Sequence, residues 1–402
     1  MNALLVPAHE DEAAEMVRAA AGSGRSIAIA GGNTRSGFGK ATVPACSLRT
    51  AGLSGIVAYN PAEMVITARA GTHLLEIEEA LVENGQMMAF EPIDHRAIMG
   101  TLGEPTIGGA FATNASGPRR FTAGAARDSL LGVRFINGRG ETVRAGGRVM
   151  KNVTGLDLVK LMAGSHGTLG LMTEVTFRVL PRPQTEATMI LVGLDDAEAV
   201  RAMAAAMAMP VEVSGAAHLP ESVRSKFIGS GMADGAATVL RLEGLAASVA
   251  VRMAKLEAVF DRIAPTERLD ADVSAVLWRE IRDVHPFADC TEKPVWRVSV
   301  APSAGYQIVA DLRQHAAIDA YYDWQGGLIW MRMEAEPEGE MIRHFVHAHG
   351  GGHATLVRAS TAMRAETAAF EPQPSAIAAL SARIKHQIDP AGIFAPGRMA
   401  GQ

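Results

Sequence analysis

The first half of the chain alternates short apolar runs with segments of helical spacing. Over residues 8–21, the spacing predicts an amphipathic helix with Ala13, Met16, Val17 and Ala20 on one face. Short β-branched and apolar runs predict strands, and a segment that follows Thr72, a suitable helix N-cap, predicts a second helix. The predicted strands cover residues 26–30, 64–70, 129–136, 141–145 and 171–180, and the second helix covers residues 74–83.

Two turn motifs mark a hairpin and a domain boundary in this pattern. Asn137-Gly138-Arg139-Gly140 lies between two predicted strands and indicates a hairpin. Pro181-Arg182-Pro183 closes the first half and predicts a domain boundary. Beyond it, strands and helices alternate, which favours an α+β domain with an antiparallel sheet. The second half is predicted to contain helices over residues 197–209, 246–263, 338–348 and 375–387, and strands over residues 239–242, 296–300, 328–333 and 354–358.

Composition narrows the classes of function. A length of 402 residues allows two or three domains. A net charge of −5 and few aromatic residues argue against nucleic acid as the main partner. Cys46 and Cys290 lie far apart and outside any CxxC pattern, which leaves a disulfide framework, a thiolate zinc site and an iron–sulfur cluster unsupported. The N-terminal residues do not read as a secretory signal, and no apolar run is long enough to span a bilayer.

The loop over residues 31–39 follows a predicted strand and is rich in glycine. Successive glycine amides can form a concave anion nest, and Asn33, Thr34 and Ser36 add polar side chains. The loop is neither a GxGxxG fingerprint nor a P-loop, because the required spacing, helix and lysine are missing. A pyrophosphate cradle and a plain flexible turn both remain open. In the first case, a bulky side chain at Gly32 would occupy the phosphate position.

Two further segments are small and glycine-rich. Residues 164–170 have the sequence Gly-Ser-His-Gly-Thr-Leu-Gly and precede a predicted strand. This pattern would let a flat or anionic ligand approach the backbone closely, or it could simply form a tight turn at the start of the strand. Residues 106–117 are also small, so that the backbone could pack face-on against a ring system or start a tightly packed helix.

Together and in this order, the three segments resemble the FAD-binding domain of the vanillyl-alcohol-oxidase, or p-cresol methylhydroxylase (PCMH), type. Within that family, residues 59–72, 85–92, 116–120 and 149–155 are similar to the E subunits of bacterial glycolate oxidases. The resemblance is dense over residues 28–183, thin in the middle and present again over residues 389–398. Two departures are Ala395 in place of an asparagine before Pro-Gly-Arg, and an irregular stretch over residues 99–104.

The resemblance implies an α+β fold: a PCMH-type FAD-binding domain of two subdomains and an α+β cap domain with an antiparallel sheet. The expected boundaries are residues 1–183 for the FAD-binding domain, 184–365 for the cap, and 366–402 for a segment that returns to the FAD-binding domain. The resemblance also implies non-covalent FAD, because the first loop has no histidine and neither cysteine has a clear attachment context. The implied contacts with FAD are made by Gly31, Gly32, Asn33, Thr34, Arg35, Ser36, Gly71, Thr106, Ile107, Gly108, Gly109, Asn114, Ser116, Gly117, Gly167, Thr168, Gly170 and Val175.

Few residues suggest catalytic chemistry of their own. Arg297, on a predicted strand, could bind a substrate carboxylate bidentately, although pairing with a structural acid is the simpler interpretation. His347, His349 and His353 flank three glycines, but the first two would point to different sides of a helix end, so no metal site is predicted. GxSxG is absent.

The resemblance therefore implies an FAD-binding subunit of a complex that oxidises glycolate, a 2-hydroxy acid, to glyoxylate. Electrons would pass to a second FAD-linked subunit and an iron–sulfur subunit. We expect a cytoplasmic protein, with any membrane contact made through partner subunits. The methionine- and alanine-rich segment over residues 202–209 could form a surface that packs against a partner subunit, or it could belong to the core. Two alternatives stay open: a self-sufficient 2-hydroxy-acid dehydrogenase of the D-lactate type, and a non-catalytic flavin-carrying subunit for electron transfer or assembly.

Overall fold

A computed structural model describes residues 3–147 and 156–399. The segment 149–155, part of the resemblance above, lies outside the described residues. The strands are β1 Ala3–Leu5, β2 Ile27–Ala30, β3 Cys46–Arg49, β4 Ile56–Asn60, β5 Val65–Arg69, β6 Gln86–Met87, β7 Leu130–Ile136, β8 Thr142–Gly146, β9 Leu171–Arg178, β10 Leu180–Pro181, β11 Thr185–Val192, β12 Val213–Leu219, β13 Ala237–Gly244, β14 Thr266–Leu269, β15 Val295–Val300, β16 Ile318–Asp323, β17 Leu328–Met333 and β18 Gly352–Arg358.

The helices are α1 Glu10–Gly22, α2 Leu74–Val82, α3 Arg96–Met99, α4 Ile107–Ala112, α5 Arg120–Ala123, α6 Ala126–Ser129, α7 Leu158–Met162, α8 Asp196–Ala208, α9 Glu221–Arg224, α10 Ala246–Phe260, α11 Ala271–Arg282, α12 Gly305–Arg313, α13 Gly339–Ala348, α14 Thr361–Glu366 and α15 Ser375–Ile388. Short 3₁₀ turns cover Pro61–Glu63, Ile228–Ser230, His285–Phe287 and Trp324–Gly326. No helix in the described residues is both long and apolar enough to cross a bilayer.

Two large antiparallel sheets carry most of the strands. The first has the order β4-β5-β9-β7-β8, and the hairpin predicted at Asn137-Gly138 joins β7 to β8. The second has eight strands in the order β14-β11-β13-β12-β16-β17-β15-β18, and all its pairings are antiparallel. The α+β class with an antiparallel sheet in the second half is confirmed, while the domain boundaries remain our proposal.

A small parallel sheet, β1-β3-β2, holds the start of the chain. Helix α1 covers it through Ala13, Val17 and Ala20, as the sequence predicts. The end of the chain adds to the same sheet, because Ile27 donates to the Ile393 carbonyl at 2.7 Å and accepts from the Ala395 amide at 2.9 Å. Residues from the N-terminal and the C-terminal parts of the sequence therefore both hold strand β2, and with it the start of the loop that follows.

One local prediction is wrong. Thr72 does not cap α2; its hydroxyl donates to the Arg69 carbonyl at 2.7 Å, and the cap position is His73. The methionine- and alanine-rich segment at residues 202–209 is divided between core and surface. Ala202, Met203 and Ala206 are buried beneath the eight-stranded sheet, whereas Ala204, Ala205 and Ala208 are exposed.

Candidate functional site: a cleft beside the parallel sheet

The loop after β2 opens into a cleft of about 810 Å³ that communicates with solvent. Its walls come from three segments that lie far apart in the chain: the loop itself, the start of α4, and the turn before β9. Of the predicted cofactor contacts, the structure brings together Gly31, Gly32, Asn33, Thr34, Arg35, Ser36, Thr106, Gly108, Gly109, Gly167 and Gly170.

The loop amides have no protein acceptor. In the described part of the chain, no hydrogen bond from the backbone N–H groups of residues 31–34 to another residue is formed. Asn33 has a φ of 61°, which turns the chain within this run. Consecutive free amides at a turn form a concave donor site for an anion. The free amides are consistent with an anion nest, and binding of an anion by this loop stays a prediction.

Glycine is needed in this loop for a different reason from the one we expected. A Cβ on Gly32 would lie 1.7 Å from the Glu104 carbonyl oxygen, and one on Gly103 would lie 1.5 Å from the Gly32 carbonyl oxygen. The loop therefore packs backbone against backbone on residues 103–104, in the stretch that looked irregular in the sequence. A substitution at Gly32 would disturb this packing whether or not a phosphate lies nearby.

Two arginines line the cleft, and neither forms an ion pair with a carboxylate in the part of the chain that the structure describes. Arg35 donates to the Ile93 carbonyl at 3.0 Å and to His95 Nδ1 at 3.1 Å, and burial lowers its pKa to about 10. Arg398 donates to the His166 carbonyl at 3.2 Å, while its buried Nε has no partner among the described residues. Both guanidinium groups are cationic at neutral pH, and within the described residues neither forms an ion pair, so this part of the cleft is positively charged.

An aromatic group forms another side of the cleft. His166 is stacked on Phe38 with ring centroids 5.1 Å apart, and it meets Phe370 edge-on at 4.8 Å. Burial, and then the charges of Arg398 and Arg35, lower the pKa of His166 to about 3, so the ring is neutral. The free amides and cations suit an anionic part of a ligand, and the neutral aromatic rings suit a flat part of the same ligand.

Sequence reasoning missed Arg398, His166 and Phe38 as cleft residues. Arg398 belongs to the tail segment that the resemblance covered, but nothing in that segment indicates that the tail reaches the cleft. His166 lies inside the predicted second loop, but its spacing carries no sign of the stacking partner Phe38, which is 128 residues away.

The remaining predicted contacts do not line this cleft. Ile107 and Val175 are fully buried in the core beneath the five-stranded sheet, and Gly71 packs against the Thr50 carbonyl. Asn114 and Ser116 accept backbone amides of α6, at 2.9 Å each. The amide of Gly117 donates to the Phe90 carbonyl, and the Thr168 hydroxyl donates to the Ser165 carbonyl. Direct contact of these seven residues with a cofactor stays a prediction.

Two of the three histidines lie beside separate carboxylates. His347 Nε2 lies 3.3 Å from Glu371, and His349 Nε2 lies 2.7 Å from Asp311, so these two rings point to different neighbours. Across residues 3–147 and 156–399, no group of three or more His, Cys, Asp or Glu side chains is arranged to hold a metal ion.

Arg297 corrects the simpler interpretation given above. No acid pairs with it in the described residues; its guanidinium lies over the Trp324 ring, 5.0 Å from the centroid. Burial, and then the charge of Arg120, lower the pKa of Arg297 to about 10, and the charge of Asp323 partly opposes this effect. Arg297 is therefore a cation on β15 that forms no ion pair within the described residues.

Free loop amides and arginines beside a parallel sheet are an arrangement that suits the phosphate groups of a nucleotide-type cofactor. Residues 1–146 match the model of the FAD binding domain family, and the cofactor is FAD. Over 387 residues, 96% of this chain, it is 33% identical to the glycolate oxidase subunit GlcE of Escherichia coli K12, of which it covers 95%. The chain therefore belongs to the family of FAD-linked oxidoreductases that contains this subunit.

Other similarities are partial or extend to the fold alone. The D-2-hydroxyglutarate dehydrogenase of Xanthomonas citri pv. viticola is 31% identical over 190 residues, 47% of this chain and 39% of that protein. A structure of p-cresol methylhydroxylase superposes with a TM-score of 0.71 at 14% identity, covering 99% of this chain and 88% of that one. Alkyldihydroxyacetonephosphate synthase gives 0.71 at 16% identity, covering 98% and 76%. The PCMH-type fold is confirmed.

Asp323 gives a first testable prediction. It is 2% exposed, and burial raises its pKa to about 7, with Glu91 adding to the effect. An unfolded aspartate titrates near pH 3.9. Between these values the native protein binds a proton that the unfolded chain does not, so the stability contributed by this group falls as the pH rises from about 4 to about 7.

We expect Asp323→Asn to remove this dependence. Between pH 5 and 7.5, the free energy of unfolding of the parent should fall relative to the variant by roughly 2–3 kcal/mol. Urea unfolding of both proteins at the two pH values measures the difference. The carboxyls whose pKa is held at about 2, such as Glu243 and Asp196, titrate below this window. Parallel pH profiles for the two proteins would contradict the assignment.

Proposed function

We propose that this chain is the FAD-carrying subunit of a complex that oxidises glycolate, or a closely related 2-hydroxy acid, to the 2-oxo acid. The observation that carries the proposal is the cleft with four free loop amides and two arginines without carboxylate partners, in a chain related along nearly its whole length to a glycolate oxidase subunit. FAD supplies the two-electron acceptor that the side chains lack.

The chain's own residues fit an anionic, flat cofactor. The amides of residues 31–34 and the guanidinium groups of Arg35 and Arg398 would hold the pyrophosphate, since charge-assisted hydrogen bonds to phosphate are strong. His166 and Phe38 would exclude water from one side of the cofactor. A neutral His166 is compatible with the two neighbouring cations, whereas a protonated ring would add a third positive charge.

The first glycine loop, over residues 31–39, contains no histidine that could link the flavin covalently. Cys46 is buried in β3 and Cys290 is exposed on the surface, and neither lines the cleft. We therefore propose non-covalent FAD. Acid precipitation of the purified protein should release the flavin into the supernatant, and colour that remains in the pellet would contradict non-covalent binding.

Electrons accepted by the flavin must leave the chain. In the described residues, no site for a metal or a cluster offers a second redox centre. We propose that a second FAD-linked subunit and an iron–sulfur subunit receive the electrons, and that any membrane contact is made through these partners.

The test is glycolate-dependent reduction of an artificial dye by the FAD-loaded chain, alone and with its partner subunits. We expect turnover only in the presence of the partners. Full turnover by the chain alone would instead favour a self-sufficient 2-hydroxy-acid dehydrogenase. Turnover of the complex that persists when this chain is supplied without flavin would favour a structural role.

A further inference from the structure

The side chain of Lys385, near the end of α15, joins three segments beside the flavin cleft. Its Nζ atom donates to the Thr168 carbonyl at 2.5 Å, in the turn before β9, and to the Phe394 carbonyl at 3.0 Å, in the C-terminal tail over residues 389–399. It also forms an ion pair with Asp389, and the two side chains are 12% and 0% exposed. The three N–H donors of the ammonium group therefore all have acceptors within the protein.

Asp389 fixes the start of the tail. Its Oδ1 atom accepts the Ile393 amide at 3.1 Å, and its Oδ2 atom accepts the Phe394 amide at 2.9 Å. A Cβ on Gly138 would lie 2.3 Å from Asp389 Oδ1, so the turn between β7 and β8 closes over this carboxylate. None of the 14 residues of α15, all of which the structure describes, is buried. The contacts of Asp389 and Lys385, rather than a buried face of the helix, therefore set where the tail begins.

The second glycine loop, over residues 164–170, needs support from outside. His166 and Gly167 have φ values of 50° and 71°, in the left-handed region that a histidine rarely adopts. The His166 carbonyl accepts from Arg398 at 3.2 Å, and the Thr168 carbonyl accepts from Lys385. Two cations from the end of the chain thus hold the carbonyls on either side of Gly167, which lines the cleft. Such a backbone persists where surrounding contacts fix it.

The charge of Lys385 depends on its pairing. Burial lowers the pKa of Lys385, while the hydrogen bond and the charge of Asp389 oppose this effect. Removal of one member of a buried ion pair leaves the other charge without compensation. A neutral side chain at position 385 would therefore release Asp389, and it would leave the Thr168 and Phe394 carbonyls without this donor.

We propose that Lys385 is a positioning residue for FAD, which fixes the second glycine loop and the tail that carries Arg398 and thereby sets the affinity for the cofactor. Within the described chain, Lys385 does not line the cleft, so it acts through the segments that it joins. This inference rests on the proposed function, because it takes the cleft as the site of the flavin.

A second lysine provides a matched control. The Nζ atom of Lys160 donates to the Arg127 carbonyl at 2.6 Å and to the Leu130 carbonyl at 2.9 Å, and burial lowers its pKa as well. Lys160 and its two acceptor residues do not line the flavin cleft. The two lysines thus make similar bonds, one beside the cleft and one away from it.

The test is titration of the flavin-free chain with FAD, followed by quenching of flavin fluorescence. Lys385→Met should weaken FAD binding by at least roughly tenfold, whereas Lys160→Met should bind as the parent does. Lys385→Arg should recover part of the affinity, because it keeps a cation beside Asp389. The double variant Lys385→Met/Asp389→Asn should also bind weakly, and it removes both charges, so that no unpaired buried charge disturbs folding.

A double-mutant cycle with Arg398 separates positioning from a general loss of stability. If Lys385 acts by placing the segments that Arg398 joins, Arg398→Met should cost less affinity in the Lys385→Met background than in the parent. In the Lys160→Met background, the cost of Arg398→Met should equal that in the parent.

Amide hydrogen exchange of the flavin-free chain reads the same junction without the cofactor. Lys385→Met should speed exchange over residues 164–170 and 393–399, and Lys160→Met should leave both segments as in the parent. This measurement distinguishes a failure of the junction from a failure of the cofactor site.

Three results would overturn the positioning role: parent-like FAD affinity in Lys385→Met and in the double variant, equal losses of affinity in Lys385→Met and Lys160→Met, or additive losses in the cycle with Arg398. If any of these occurs while the parent binds FAD, the proposed cofactor role stands. A correctly folded parent that binds no FAD contradicts both the cofactor role and the positioning role, even if the exchange measurement supports the junction.

Discussion

Arg241→Met should lower the free energy of unfolding by about 3–5 kcal/mol, because it leaves a buried carboxylate pair short of one cation. Arg241 is 1% exposed on β13 and contacts Glu91 Oε1 at 3.0 Å and Glu243 Oε2 at 3.6 Å. Arg119 also contacts both acids, with 2.8 Å between its NH1 and Glu91 Oε1. Two arginines and two glutamates thus form a neutral network that joins β13 to the segments around residues 91 and 119.

The pH dependence of the loss follows from the same contacts. Burial alone would raise the pKa of Glu243, but Arg241 and Arg119 outweigh it and hold the pKa at about 2. The stability from a carboxyl with a lowered pKa is present above its unfolded pKa, and is lost as the pH falls through the folded value. The deficit of Arg241→Met should therefore be larger at pH 7 than at pH 3.

Denaturant unfolding of Arg241→Met and of the control Arg313→Met measures this difference. The Arg313–Asp196 pair is partly exposed, and Asp196 keeps Tyr322 and His218 as partners, so the control should lose less than about 1 kcal/mol. Equal losses in the two variants would show that the buried network does not contribute as described.

Ala112→Phe should abolish FAD binding while leaving the fold intact. Ala112 ends α4 and lines the cleft, so a phenyl ring there would extend into the space assigned to the cofactor. We expect the flavin bound per chain, measured by absorbance after desalting, to fall at least roughly tenfold, since steric exclusion removes contacts along the cleft. Circular dichroism should remain that of the parent.

The matched control is Ala204→Phe, which makes the same substitution at an exposed position of α8. It should retain the flavin of the parent. Parent-like flavin content in Ala112→Phe would place the cofactor elsewhere and contradict the assignment of the cleft.

The periodic elements could be predicted from the sequence because their signals are local. Helix α1 and the hairpin between β7 and β8 each carry their pattern within a few residues, and both are present as predicted. The first glycine loop was also recognisable, since a strand followed by consecutive small residues indicates a backbone anion site.

The features that were missed depend on contacts between distant residues. The packing of Gly32 on Glu104 joins positions 72 residues apart, and Arg398 reaches the cleft only because the tail pairs with β2. That Arg297 forms no ion pair in the described residues could not be foreseen either, because pairing depends on which neighbours the eight-stranded sheet brings near. Thr72 is a case in which the local signal itself was misleading. Its residue type suits a helix N-cap, but its hydroxyl donates to the Arg69 carbonyl within a turn.

The central claim is that this chain binds FAD in the cleft beside the parallel sheet. Titration of the flavin-free chain with FAD, followed by quenching of flavin fluorescence, tests it most directly. We predict saturation at one FAD per chain, with binding lost in Ala112→Phe and preserved in Ala204→Phe. An absence of saturable FAD binding by a correctly folded parent would contradict the claim.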